Sequence, residues 1–301
     1  MMNKLKLKGG SLSTTYLITD ENFQFVRKEC STIVNREYGY QRWYSQLKRQ
    51  QRYNHLFPGL FPNIIKYGVT SDGIAYFDME YIPDTVTVYD FLMSSTSEFD
   101  ISNLIVELIK SMHSMHSINI NSNKSAIDLY IQEEVNQKIN DTDLSAEFNS
   151  FPISEFKTEL LKYDDDIETF THGNLTLENI LYNSATNTIT FIDPYEENII
   201  DSKLCDYSQI LQSCNSKYEL HNNSDIILTD DNNFGLDTFN KIFNSFLYDN
   251  ITGKQLKMVK LFEISQFIRM LPFKQEIDIK KMSFFYNHAI NLFNTFKKNN
   301  T

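Results

Sequence analysis

Two short segments constrain this chain more than any others. They are Thr171-His172-Gly173-Asn174-Leu175-Thr176-Leu177-Glu178-Asn179-Ile180-Leu181-Tyr182 and, shortly after, Thr190-Phe191-Ile192-Asp193-Pro194. Apolar and β-branched runs bounded by polar residues read as strands. The sequence here gives a polar loop, a strand, a turn and a second strand that ends in a lone acid. An amide, Asn179, and a carboxylate, Asp193, thus fall at the two ends of one hairpin.

A chain of 301 residues allows about two domains on length alone. With 41% hydrophobic and 14% aromatic residues it can fill a sizeable core. Its scarce Gly and Pro exclude a disordered or fibrous class. The net charge of −11 argues against a general nucleic-acid binder, which must neutralise phosphates with a basic footprint. Acidity also serves solubility, and it leaves a neutral or cationic small substrate open. Cys30, Cys205 and Cys214 are odd in number and match no zinc or CxxC spacing, as expected of reduced thiols. The opening Met1-Met2-Asn3-Lys4-Leu5-Lys6 lacks an apolar signal core, and no apolar run is long enough to span a bilayer. A soluble cytoplasmic protein without a transmembrane segment is expected.

The first part of the chain alternates as a sheet does. Tyr16–Thr19, a turn at Asp20-Glu21-Asn22 and Phe23–Lys28 read as a hairpin. A helix is expected from about Asn35, with Glu37 in its first turn and Tyr40, Tyr44 and Leu47 at helical spacing. Ile64–Val69, the turn Ser71-Asp72-Gly73 and Ile74–Ile82 give a second hairpin. Pro83-Asp84 breaks the pattern. Beyond it the chain is mostly helical, with Leu104, Leu108, Met112 and Met115 as one core stripe. The Asn- and Asp-rich stretch from Tyr218 to Phe234 reads as an exposed loop. Two apolar helices, Gln255–Met270 and Lys280–Phe296, close the chain, separated at Leu271-Pro272.

Several residues could carry chemistry. Gly9-Gly10-Ser11-Leu12-Ser13 leads into the first strand, where backbone N–H groups and the hydroxyls of Ser11 and Ser13 could meet a phosphate. Such a lead-in is as often a plain turn, and it is not a Walker A loop. Lys28 ends a mostly apolar strand and Glu37 follows in the helix. A strand-end Lys held by a helical Glu could face an anion, although both are ordinary surface charges when read singly. Arg27 leaves the register open by one residue. Met79-Glu80-Tyr81-Ile82-Pro83 leaves a strand and enters a hinge, where unpaired backbone groups could meet the edge of a base. His172 reads as a residue that holds its loop rather than one that moves protons. Asp206 either caps the helix it opens or accepts hydrogen bonds from the loop.

With these elements in this order, the chain resembles the aminoglycoside phosphotransferase and choline kinase group of the protein-kinase-like superfamily. His172-Gly173-Asn174 followed by Asn179 is similar to the H-G-D-x-x-x-x-N of that group. Ile192-Asp193 is similar to its metal-binding I-D, and Asp206-Tyr207-Ser208-Gln209-Ile210 to the D-L-A-x-L that follows. Val26-Arg27-Lys28, Asp193-Pro194 and Phe267-Ile268-Arg269-Met270-Leu271-Pro272 resemble a bacterial branch found with surface-polysaccharide genes. The resemblance implies an α+β, bilobal protein-kinase-like fold: residues 1–82 would form a small nucleotide-binding lobe of antiparallel sheet plus helix. Residues 83–301 would form a larger, mainly helical lobe with the catalytic hairpin and acceptor site. It implies ATP and Mg2+ as cofactors. Asn179 and Asp193 would hold the metal, Lys28 the phosphates and Glu37 the lysine. Gly10, Ser11 and Ser13 would lie over the phosphates, with Glu80 and Ile82 at the adenine. The expected reaction is phosphoryl transfer to a hydroxyl of a small molecule, a sugar or an amino alcohol.

One residue departs from the pattern. Asn174 stands where the group carries the Asp that receives the hydroxyl proton, and an amide takes no proton at neutral pH. Three readings follow: a slow kinase, a nucleotide-binding pseudokinase acting through protein partners, or a kinase with an engineered base knockout.

Overall fold

The computed structural model describes residues 3–7, 13–20, 23–34, 39–94, 97–120, 126–143, 151–162, 168–195, 198–223 and 234–300. Gly10, Ser11 and Glu37 lie outside them. The expected α+β class is what the chain adopts: a small antiparallel sheet with one helix, followed by a larger, mainly helical lobe.

The sheet has five strands, β1 (Asn3–Lys6), β2 (Thr14–Asp20), β3 (Phe23–Ser31), β4 (Ile64–Val69) and β5 (Ile74–Glu80), in the order β1-β2-β3-β5-β4. β1 was not expected; its Asn-Lys-Leu-Lys sequence is exposed throughout and carries no apolar alternation to betray a strand. Helix α1 runs over Gln41–Leu56, and the start expected at about Asn35 falls in residues 35–38, outside the described set. Its Trp43 and Leu47 pack with Cys30, Ala75 and Phe77 in a small core under the sheet. Its far end, with Tyr53 and the following Phe57, belongs to the large core of the helical lobe. One helix therefore joins both hydrophobic cores, which fixes the two lobes about the cleft between them.

Beyond β5 the chain turns through Asp84, in the left-handed region at φ 56°, into β6 (Val86–Thr87). This two-residue strand pairs with β7 (Ile180–Asn183), which pairs with β8 (Thr188–Phe191). The expected catalytic hairpin is β7–β8; β6 is too short to show a period in sequence. The helices are α2 (Val88–Met93), α3 (Glu98–His116), α4 (Ala126–Tyr130), α5 (Gln137–Asn140), α6 (Ile153–Leu160), α7 (Lys203–Cys214), α8 (Tyr218–Asn223), α9 (Phe234–Asn250), α10 (Gly253–Arg269), α11 (Leu271–Ile277) and α12 (Ile279–Lys298). A π-helical turn, Ile131–Asn136, joins α4 to α5.

Two expectations need correction. Tyr218–Asn223 is helix α8 and not exposed loop, because Glu219 and Leu220 are buried against the lobe. The break at Leu271-Pro272 is itself a helix, α11, since proline is tolerated in a first helical turn where no N–H partner is required.

Candidate active site

Strand alternation settles the Arg27/Lys28 register. Adjacent residues of β3 point to opposite faces. Arg27 pairs across to Asp78 on one face, with Nε and Nη2 donating to the two carboxylate oxygens at 2.6 and 2.8 Å. Lys28 points to the other face. There its ammonium donates to Asp193 Oδ1 and, at 2.6 Å, to Gln46 Oε1 of α1. The Gln46 amide in turn donates to Asp193 Oδ1 at 2.6 Å and to the Pro194 carbonyl at 3.0 Å. The predicted lysine and hairpin-end carboxylate thus meet, 165 residues apart in sequence; Lys28 does not end its strand as expected, because the ladder of β3 continues through Glu29 and Cys30 to Ser31. Gln46 had not been anticipated. Its signal was a polar residue on the buried stripe of a helix, among Trp43, Leu47, Gln50 and Tyr53.

Burial would push the Asp193 carboxyl up. The Lys28 charge and the hydrogen bonds from Lys28 and Gln46 outweigh it and hold the group below the usual carboxylate range. The side chain is nevertheless 37% exposed. Its backbone sits at φ 58°, an unusual conformation for a non-glycine residue, which suits an over-determined functional position.

The loop before β7 is held from behind by the polar stripe of α7. Asp206 accepts from the His172 and Gly173 backbone N–H groups at 2.9 Å each, and from the His116 ring at 2.9 Å. Gln209 accepts from Leu175 N and donates to the Gly173 carbonyl, both at 2.6 Å. Ser213 accepts from Leu177 N at 3.1 Å and donates to buried Glu219 at 2.6 Å. Positions 206, 209 and 213 lie on one helical face. Of the two roles open to Asp206, the loop acceptor is the one found; Ser202 caps α7 instead. Gln209, Ser213, Glu219 and His116 were not anticipated, and a run of polar residues within an otherwise apolar buried helix was the available signal.

His172 is fully buried, and both ring nitrogens are engaged. Nε2 donates to the Ile192 carbonyl at 2.9 Å and Nδ1 accepts from Asn174 N at 3.2 Å. One donating and one accepting nitrogen define a neutral imidazole. Burial lowers its pKa to about 4 despite the neighbouring Asp206. The residue locks the loop to the end of β8. Gly173 sits at φ 76°, and a Cβ there would come within 2.3 Å of the Asn198 side chain.

Asn179 donates from its amide nitrogen to the Asn174 carbonyl at 2.8 Å, and its backbone carbonyl accepts from Ile192 N at 3.0 Å. The side-chain Oδ1 makes no hydrogen bond among the described residues. The Asn174 side chain likewise makes none among them. From the sheet side, Tyr53 Oη of α1 donates to the Thr171 carbonyl at 2.5 Å, and Arg49 Nη2 donates to the same carbonyl and to Asp201 at 2.8 and 2.9 Å.

At the hinge, Glu80 N donates to Asn63 O at 2.9 Å and the Ile82 carbonyl accepts from Thr85 Oγ1 at 2.9 Å. The Ile82 N–H donates to nothing among the described residues. Ser13 stands just before β2, half-buried. A cavity of about 20 Å³ behind Gly173, lined in part by Tyr195, Asn198 and Arg269, holds little more than a water. No cluster of three or more His, Cys, Asp or Glu side chains suited to a metal occurs among the described residues. A magnesium site completed by substrate phosphates requires no such cluster, since one or two side-chain oxygens suffice. The unengaged Asn179 oxygen and the second Asp193 oxygen fit that donor set.

No protein-family model matches the sequence, and no curated protein matches it. Solved structures do match in three dimensions. A thermostable mutant of the aminoglycoside phosphotransferase APH(4)-Ia, in a ternary complex with ADP and hygromycin B, superposes with a TM-score of 0.66 at 11% identity, over 96% of this chain and 92% of that one. The GDP complex of an aminoglycoside 2'-phosphotransferase-IIIa mutant gives 0.65 at 15%, over 99% and 92%. An ethanolamine kinase of Plasmodium vivax gives 0.56 at 11%, over 98% and 82%. At such identities the likeness establishes a shared fold, the protein-kinase-like fold of small-molecule phosphotransferases.

Proposed function

We propose that this protein is an ATP-dependent phosphotransferase that acts on a hydroxyl of a small molecule, a sugar or an amino alcohol. The observation that carries the reading is the meeting of Lys28, Asp193 and Gln46 across the cleft, beside a loop that presents Asn174 and Asn179. In this reading residues 1–82 form the nucleotide lobe and residues 83–301 carry the hairpin and acceptor site. Lys28 leaves its contact with Asp193 to hold phosphate oxygens. The ionised Asp193 carboxylate and the Asn179 Oδ1 hold Mg2+, which when bound neutralises charge on the phosphates. The Ile82 N–H and the chain around Glu80 receive the base, and Ser13 lies near the phosphates. His172 moves no proton; neutral and doubly bonded, it fixes the loop. The site is proposed to work in the cytoplasm.

Phosphoryl transfer asks little of a base, because positioning and charge stabilisation dominate. Asn174 can orient an acceptor hydroxyl through its side-chain oxygen without taking the proton. The second reading, a nucleotide-binding pseudokinase that acts through partners, rests on the same Asn174.

The test is direct. Mg·ATP should raise the melting temperature of the protein, since a ligand that binds only the folded state stabilises it by mass action. Asp193→Ala should remove that shift and leave the fold intact. Asn174→Asp, nearly isosteric, should raise ATP turnover on the right acceptor by about 10²–10⁴, the usual worth of a positioned base. An Asp193→Ala protein with the full thermal shift would refute the metal assignment. Bound Mg·ATP with no gain from Asn174→Asp would favour the pseudokinase.

A further inference from the structure

Helix α1 carries a second functional face. Gln46, Gln50 and Tyr53 lie on the stripe turned to the cleft and cores. Ser45, Arg49 and Arg52 follow i, i+4, i+7 on the neighbouring stripe, flanked by Tyr44 and Lys48. This face walls a cavity of about 400 Å³, closed by Ile120, Phe170 and Asp201 of the helical lobe. The volume lies within the range of small-molecule sites, roughly 300–1,000 Å³. None of its lining residues belongs to the cleft that holds Lys28 and Asp193.

Among the described residues three cations, Lys48, Arg49 and Arg52, face this cavity against one carboxylate, Asp201. The excess is notable in a chain of net charge −11. That carboxylate is already engaged, accepting from Arg49 Nη2, Thr171 Oγ1 and Asn198 Nδ2 at 2.9, 2.6 and 2.7 Å. Lys48 and Arg52 make no ion pair or hydrogen bond with a described residue. Their cationic groups rest over the rings of Tyr44 and Phe170, at 5.3 and 4.5 Å from the centroids. A second, independent observation points the same way. The Arg49 side chain is 12% exposed, and its Nε is a buried donor with no partner among the described residues. A buried donor without an acceptor is costly, and one on a guanidinium more so.

We infer that this cavity is a second binding site, separate from the proposed nucleotide cleft, for a phosphate-bearing small molecule. A doubly charged oxyanion matches the surplus of two cations. Guanidinium groups recognise such oxygens with a planar fork of donors. The rings of Tyr44, Tyr53 and Phe170 offer the body of the ligand an apolar wall. The size of the cavity selects a small molecule over a protein segment. Arg49 also connects the site to the chemistry, for its Nη2 grips the Thr171 carbonyl next to His172. Occupancy would therefore stiffen the root of the catalytic loop.

The experiment uses the full chain, with inorganic phosphate and glucose 6-phosphate as probes and glucose and chloride as controls at matched ionic strength. Isothermal titration and thermal shift are read in the parent, in Lys28→Met and in the double variant Lys48→Gln/Arg52→Gln. Saturable binding of glucose 6-phosphate, with or without phosphate alone, is expected in the parent but not for glucose. Lys28→Met removes the cleft's own phosphate-binding cation and should bind equally well, which separates this site from the nucleotide cleft whether or not the kinase reading holds. The double variant alters two exposed side chains and should keep the parent melting temperature while weakening binding at least tenfold. No saturable binding in the parent would overturn the inference. So would equal affinity in the double variant, or loss of binding in Lys28→Met.

Discussion

Asp206→Asn is the sharpest probe of how the loop before β7 is held. The carboxylate is fully buried and takes three hydrogen bonds, from His172 N, Gly173 N and the His116 ring. An Asn keeps one acceptor oxygen. In its better orientation that oxygen replaces Oδ2 and retains His172 N and His116, while the new NH₂ faces the Gly173 N–H. One charge-assisted bond is lost, worth about 1.5–3 kcal/mol, and a buried donor is left unpaired at about 1–3 kcal/mol. Relief of the buried charge offsets part of this. The expected net loss is about 3 kcal/mol. In urea titration the midpoint should fall with an unchanged slope. At about 2–4 °C per kcal/mol for chains of this size class, the melting temperature should drop by about 6–12 °C. Asp206→Leu is the deciding control, since it also removes the charge but leaves all three donors unpaired. It should be less stable than Asp206→Asn. If the Leu variant equals or exceeds the Asn variant, donor satisfaction is not what Asp206 supplies, and the account of the loop fails.

Three further outcomes are expected. Burial lifts the Glu219 carboxyl from 4.5 to about 7; the folded state then holds a proton the unfolded chain releases, so the contribution of this group to stability is complete below pH 4.5 and is lost as pH rises through 7. By linkage the cost at pH 8 is about 3 kcal/mol, so urea titrations should show Glu219→Gln gaining about that much on the parent between pH 4 and pH 8; a pH-independent difference would contradict this. Gly173→Ala should destabilise by about 2 kcal/mol, from the left-handed backbone and the contact with Asn198. The penalty should shrink by at least about 0.5 kcal/mol in an Asn198→Ala background, where the contact is gone; additivity in denaturant titrations would place the cost elsewhere. Lys28→Met and Gln46→Leu each take one donor from Asp193 and should couple by about 0.5 kcal/mol or more in a double-mutant cycle on stability; strict additivity would show that the three do not act as a unit.

The local periods of the sequence made the frame legible. Alternation gave β2–β3, β4–β5 and the β7–β8 hairpin, and the 3.6-residue period gave α3, α10 and α12. Asn179 and Asp193 were readable because hairpin ends and lone acids are local features; Lys28 was readable as a charge in an apolar run, although it lies inside β3 and not at its end. β1 and β6 were not readable, the first for want of apolar alternation and the second for want of length. The α8 segment looked like loop because its composition is polar, while the structure buries Glu219 against Leu177 and Ser213.

What the sequence determined by itself is the set of elements and the residue types at their ends. Only the tertiary structure decided which donor meets which acceptor. Arg27 and Lys28 are equivalent as letters, and the pleat sends one to Asp78 and the other to Asp193. Asp206 could cap a helix or brace a loop, and packing of α7 under the loop made it the brace. Gln46 and Arg49 differ by three positions on one helix, yet they bond to Pro194 and to Thr171 because α1 is anchored in both cores. The pairings made by Lys28, Gln46 and Arg49 join residues separated by more than a hundred positions. Sequence periodicity acts over one or two turns of helix or a few residues of strand, and it carries no information about such distances.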